Sequence, residues 1–196
     1  MAKLRYFDAL PPYFGGKRKL VKAIFKLAPP AKEAPVFADA FLGGGSVSIL
    51  AKAMGYEVLC NDIADRSYLV GKALIENNRT RITKADIHRL FIPQSEEHFI
   101  QDNFCPEVFM SKHAAFLDSA FKNVDEMHDS PRKWLLKYLL VKVIFQLRPH
   151  AQFSSPNAFN IPMEDRKIEY IKNKTYAGNI KTALKAIPDL VAGVKV

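Results

Sequence analysis

A chain of 196 residues, 48% apolar, suits one globular domain or one domain carrying a compact insertion. No stretch reaches the roughly 18 consecutive apolar residues of a membrane-spanning helix, and the N-terminus lacks the apolar core and cleavage site of a secretion signal. Two cysteines, Cys60 and Cys105, and five scattered histidines argue against a disulfide framework or structural zinc and set a reducing cytoplasm as the expected location.

In chain order, Lys17 to Leu27 carries a helical apolar stripe closed by Pro29 and Pro30. Val36 to Leu42 reads as a short buried strand running into Gly43, Gly44 and Gly45. Ser46 to Met54 has helical character with Gly55 as its stop, and Glu57 to Asp62 reads as a second strand. Strand, glycine turn, helix and strand in that order make a minimal βαβ unit. Asp65 to Asn77 is expected to be helical. Thr83 and Asp86 have capping-box spacing ahead of a short helix ending near Ile92, and Pro106 to Met127 suits another. Ser130 and Pro131 form an N-cap and first-turn pair for a buried helix to Arg148. Pro149 to Met163 reads as loop, Asn173 to Ile187 as helix, and Val191 to Val196 as the start of a strand.

The formal charge is +9, unevenly placed. Residues 1–26 hold seven basic side chains against Asp8, residues 131–148 hold five with no acid, and residues 166–185 hold six against Glu169. Such blocks suit counterion release from a polyanion, although solvated helix faces produce them too.

The glycine turn is the most informative stretch. Glycines after a strand let backbone approach a ligand closely, and the following helix N-terminus offers N–H groups to an electronegative atom. Asp62 closes the second strand, where an acid can accept hydrogen bonds from ribose hydroxyls. A dinucleotide motif fits imperfectly because Ser48 stands at its last glycine. A P-loop ending at Gly16-Lys17 is rejected because Pro11 stands at its first glycine. An S-adenosyl-L-methionine (AdoMet) site, with Asp39 facing the charged methionine end, remains beside a turn used only for packing.

Three segments together carry a resemblance: Pro12-Tyr13-Phe14-Gly15-Gly16-Lys17, Phe37 to Val47, and Asn61-Asp62-Ile63. Their order and spacing resemble the Dam-like adenine-specific DNA methyltransferases, with Ala40 in place of the family's usual proline and Asp39 in place of its glutamate. The resemblance implies an α/β fold: a partial, Rossmann-like AdoMet-dependent methyltransferase sheet with a mainly helical target-recognition domain inserted into it. Residues 1–66 would be the cofactor part, 67–170 the DNA-binding insertion, and 171–196 the return to the sheet. Tyr13 and Lys17 would lie over the cofactor and Asp39 near its amine. Phe41, Gly43, Gly45 and Ser46 would run along it, Asp62 would hold the ribose, and Ile63 would pack on the adenine. Lys17 and Tyr13 also have plain structural readings, as a helix-start lysine and a core aromatic.

Phe159-Asn160-Ile161-Pro162 resembles the family's Phe-Asn-Val-Pro segment, and Arg148 and Asn160 are its candidates for contact with double-stranded DNA. Gln152, Ser154 and Ser155 stand where the family has Arg and Asn. The family's catalytic Asp-Pro-Pro-Tyr segment holds the target amine and stacks on a flipped base. It does not occur in these residues, and Leu10-Pro11-Pro12-Tyr13 imitates it without the acid. The expectation is therefore a methyltransferase inactive alone, a fragment or one half of a split enzyme completed by a second polypeptide. A non-catalytic DNA- or AdoMet-binding module is the alternative. A nicotinamide-dependent oxidoreductase is disfavoured by Ser48.

Overall fold

In the computed structural model, residues 7, 10, 15–96, 98–106 and 108–147 are described. They divide into two units between Arg81 and Ile82.

In the first unit, α1 (Val21–Leu27) leads to β1 (Val36–Asp39), α2 (Ser46–Ala53), β2 (Glu57–Cys60) and α3 (Asp65–Val70). A π-helical segment, Gly71–Ile75, continues from α3. β1 and β2 are parallel, with Val36 opposite Glu57 and Asp39 opposite Cys60. Parallel neighbours need a crossover, and α2 supplies it. The apolar periodicity of α2 buries Ile49, Leu50 and Ala51, and Met54 and Gly55 end the helix, Gly55 at φ 92°.

The strands are shorter than the sequence suggests, and β1 is not buried. Both alternate exposed and half-buried positions, with Val36 49% and Leu59 56% exposed. On the other face Phe37 meets Phe25 of α1 and Tyr56, with ring centroids 5.3 and 5.7 Å away. A seven-residue stretch with Asp39 as its one polar residue reads as burial on both faces. With two strands among the described residues, helices and aromatics cover one face only. This establishes an α/β arrangement with a small parallel sheet.

The π-helical segment replaces the last turns of the helix expected to Asn77. A β-carbon on Gly71 would lie 3.3 Å from Leu42 Cδ2 and 3.5 Å from Cys60 Sγ, so the missing side chain lets this segment approach the strands. Lys52 of α2, 4% exposed, donates to Leu74 O and Asn77 O at 2.7 and 2.8 Å. These carbonyls at a helix end lack intrahelical partners; the ammonium satisfies them.

The second unit contains α4 (Lys84–Leu90), α5 (Phe99–Phe104), α6 (Ser111–Asp125) and α7 (Pro131–Leu147). The capping box of α4 forms as expected: Thr83 N donates to Asp86 Oδ2 at 2.7 Å and Asp86 N to Thr83 Oγ1 at 3.3 Å. Ser130 Oγ accepts from Lys133 N at 3.2 Å, the N-cap anticipated for α7. Leu135, Leu136, Tyr138, Leu139, Leu140 and Val143 make α7 the centre of the unit, with Leu117, Ala120 and Val124 of α6 buried in the same core. The charged interruptions do not expose it, because Lys137 turns to the Asp125 carboxylate at 2.6 Å.

The sequence did not announce α5, which buries no side chain. Asp118 of α6, 4% exposed, accepts from Ile100 N at 2.7 Å and Gln101 N at 3.0 Å. A carboxylate at two first-turn amides acts as an N-cap delivered from another helix. Next to it, Ser119 Oγ accepts from Gln94 N, and Asn123 donates to Ile92 O at 2.7 Å while accepting from Gln94 Nε2 at 2.6 Å. One polar edge of α6 thereby holds the irregular chain between α4 and α5.

The loop, helix and strand expected over Pro149–Met163, Asn173–Ile187 and Val191–Val196 lie outside the described residues, as do Tyr13, Arg148 and Asn160. No helix among the described residues is long and apolar enough to cross a membrane, and none of their His, Cys, Asp and Glu side chains cluster as metal ligands.

Candidate functional site

The parallel register carries on past the strands. Asn61 N donates to Asp39 O and Leu42 N to Asn61 O, both at 2.9 Å. This extra pairing brings the glycine bend beside the end of β2. Gly43 N then donates to Asp62 Oδ2 at 2.7 Å, while Asp62 Oδ1 accepts from Ala64 N at 2.9 Å. Backbone donation from Ala64 and Gly43 holds the Asp62 carboxyl below its ordinary value against an opposing effect of burial. The latch between bend and strand end is therefore ionised throughout the neutral range. A carboxylate offers about four acceptor positions, so two amides leave capacity for a ligand's hydroxyls.

The bend itself needs glycine. Gly43 and Gly45 have φ of 52° and 75°, a region costly for other residues. At Gly45, which precedes α2, an added β-carbon would also lie 2.7 Å from Val70 Cγ1. Gly45 N donates to Leu42 O at 2.8 Å. The N–H groups of Gly43 and Gly45 are thus used inside the protein, and those the bend can offer outward are fewer than the sequence suggests. The first turn of α2, at Ser46, retains N–H groups that helix geometry leaves without intrahelical partners.

Asp39, at the end of β1, accepts from Ser48 Oγ at 2.6 Å and from Phe41 N at 3.4 Å. It is half-buried and fixed in orientation. Ser48, which spoils the dinucleotide motif, is fully buried and serves as that anchor. Phe41 is 89% exposed and Ile63 fully exposed. These two large apolar side chains flank Asp62 and the bend, and no surface of the described residues covers them.

A cavity of about 390 Å³ opens beside Asp62, lined by Leu42, Leu59, Asn61, Tyr68 and Gly71 among others. Its size lies within the usual range for small-ligand sites. Lys17 is exposed and donates to Gly15 O at 2.8 Å, within its own turn rather than to the bend. The structure thus gathers Asp39, Phe41, Gly43, Gly45, Ser46, Asp62 and Ile63. Ser48, read from sequence only as a break in the dinucleotide motif, joins them as the partner of Asp39, and Asn61 as a lining residue of the cavity.

Residues 13–189 match the profile of a family described as D12 class N6 adenine-specific DNA methyltransferase. The chain is 28% identical over 142 residues to the Type II methyltransferase M2.HphI of Haemophilus parahaemolyticus, covering 72% of this chain and 42% of that protein. The chain thus spans less than half the length of this curated relative. No solved structure matches.

Proposed function

The chain belongs to the D12 class N6 adenine-specific DNA methyltransferases, and on that premise we propose that its glycine bend and Asp62 hold AdoMet for methylation of the exocyclic amine of adenine in DNA. The observation that carries this reading is the latch of Gly43 N onto Asp62 between the uncovered side chains of Phe41 and Ile63. A nucleoside needs an acceptor for its sugar hydroxyls and apolar surface for its base, and these residues supply both. Asp62 accepts from the ribose, Ile63 and Phe41 lie against the purine and thioether regions, and Asp39 faces the methionine ammonium. Gly45 and Ser46 let the backbone run close to the ligand, with Tyr13 and Lys17 over it. Bound AdoMet would supply an electrophilic methyl group on sulfonium sulfur; the protein's part is to bind, orient and shield it.

The two strands are then the start of a larger doubly wound sheet. Residues 67–170 form the target-recognition insertion, with Arg148 and Asn160 as contacts to double-stranded DNA. A restriction–modification setting follows from the likeness to a Type II enzyme. Titration calorimetry with AdoMet tests the cofactor site. Saturable binding that weakens at least roughly tenfold in Asp62→Ala is expected, since a hydrogen bond to a charged group contributes about 1.5–3 kcal/mol. Absence of binding, or equal affinity in the variant, refutes the assignment. Labelled AdoMet with duplex DNA tests transfer.

A further inference from the structure

The basic side chains of the second unit are used in two different ways. On α7, three of the basic side chains that looked free in sequence are engaged inside the protein. Arg132 pairs with Asp86, Lys133 donates to Asp125 O and Met127 O at 2.7 Å each, and Lys137 pairs with Asp125. These groups cap and brace helices. They are poor candidates for phosphate contacts, because each would leave a partner behind.

On α4 the situation is reversed. Lys84, His88 and Arg89 are exposed, and neither the Lys84 nor the Arg89 side chain makes a hydrogen bond or ion pair among the described residues. Helical spacing places Lys84, Ala85, His88 and Arg89 on the outward side. Asp86 and Leu90 are buried on the other, with Ile87 half-buried. The one acid of α4 is thus turned inward, held by Thr83 and Arg132. Its outward face carries no carboxylate. At the C-terminal end of α4, a cavity of about 310 Å³ is lined by Leu90, Phe91, Pro93 and Phe116, with exposed Lys112 on its wall.

We infer that the outward face of α4, with Lys112, is the surface that this unit lays against the phosphate backbone of duplex DNA. The inference rests on the methyltransferase reading and deepens it, naming residues for the sequence-independent part of DNA binding. Unpaired cations on a face free of acids release counterions on contact with phosphates without breaking any internal bond. Pairing Asp86 with Arg132 takes up the one negative charge that α4 itself carries.

The test is fluorescence anisotropy with a mixed-sequence DNA duplex across a series of salt concentrations. It compares the wild-type chain, the triple variant Lys84→Ala/Arg89→Ala/Lys112→Ala, and Lys137→Ala. Each lost phosphate contact lowers the slope of log affinity against log salt by about 0.9. The triple variant should therefore show a slope shallower by about 2–3, with Lys137→Ala unchanged. Equal slopes in the triple variant and the wild type overturn this surface while leaving the methyltransferase reading intact. A wild-type chain without salt-dependent duplex binding overturns both. Equal or tighter binding to anionic phospholipid vesicles assigns the face to a membrane and also overturns the inference. All three positions are exposed, and an unchanged thermal melt shows that the variant is folded.

Discussion

The two units deploy polar residues to opposite ends. In the second, Asp86, Asp118, Ser119 and Asn123 are buried and each meets a named partner on a neighbouring element, so the polar groups hold helices and connecting chain together. In the first, Asp39 and Asp62 sit at strand ends, hold the glycine bend, and remain open to solvent beside uncovered Phe41 and Ile63. A buried carboxylate with its acceptor positions filled is a structural part. A half-exposed one with positions to spare, next to apolar side chains that fold without being buried, is a binding part.

The comparison breaks most sharply at Gly45. Gly45→Ala combines a left-handed backbone with a contact to Val70 and should cost about 2–4 kcal/mol in chemical denaturation, with AdoMet binding lost in calorimetry. A stable variant that still binds would mean that the bend tolerates a side chain and is not built for close approach.

Lys52 sharpens the comparison within the first unit through its pH dependence. Burial pulls its ammonium down to about 8 from 10.5. Between those two values the unfolded chain binds more protons than the folded one, so stability rises with pH across that window. Relative to Lys52→Met, the wild type should gain on the order of 1–3 kcal/mol between pH 8 and 10.5, measured by denaturation at a series of pH values. Parallel curves would show that the lysine is not desolvated in solution.

Asp118→Ala tests the second unit alone. Loss of the cap on α5 should lower stability by about 1–2 kcal/mol, leaving AdoMet affinity unchanged. Amide exchange should speed up at Ile100 and Gln101 first. The smallest effect on folding belongs to Phe41→Ala, within about 0.5 kcal/mol because the ring is exposed. Its AdoMet affinity should nevertheless fall severalfold. If stability drops and affinity does not, Phe41 is a folding residue and the contrast between the units fails.

Local signals were legible where a few adjacent residues decide the outcome. The capping box at Thr83, the Ser130 cap, the stop at Gly55 and the triglycine bend all form where the sequence places them, since each is fixed by backbone conformation within a turn or two. The family was legible in the same way, from three short motifs in order. What sequence could not reveal depends on partners distant in the chain. The exposure of β1 reflects how much sheet covers it, and α5 exists because Asp118 arrives from α6. Lys52 finds its hydrogen-bond partners in carbonyls of a segment more than twenty residues later, and Arg132 and Lys137 of α7 are paired with Asp86 and Asp125.

By itself, then, the sequence determined the family, the glycine bend, and the strand–helix–strand order around it. These follow from short-range sterics and periodicity. Only tertiary structure decided which charges are free and which apolar side chains stay uncovered, because those properties belong to pairs of surfaces brought together by folding rather than to any stretch of chain.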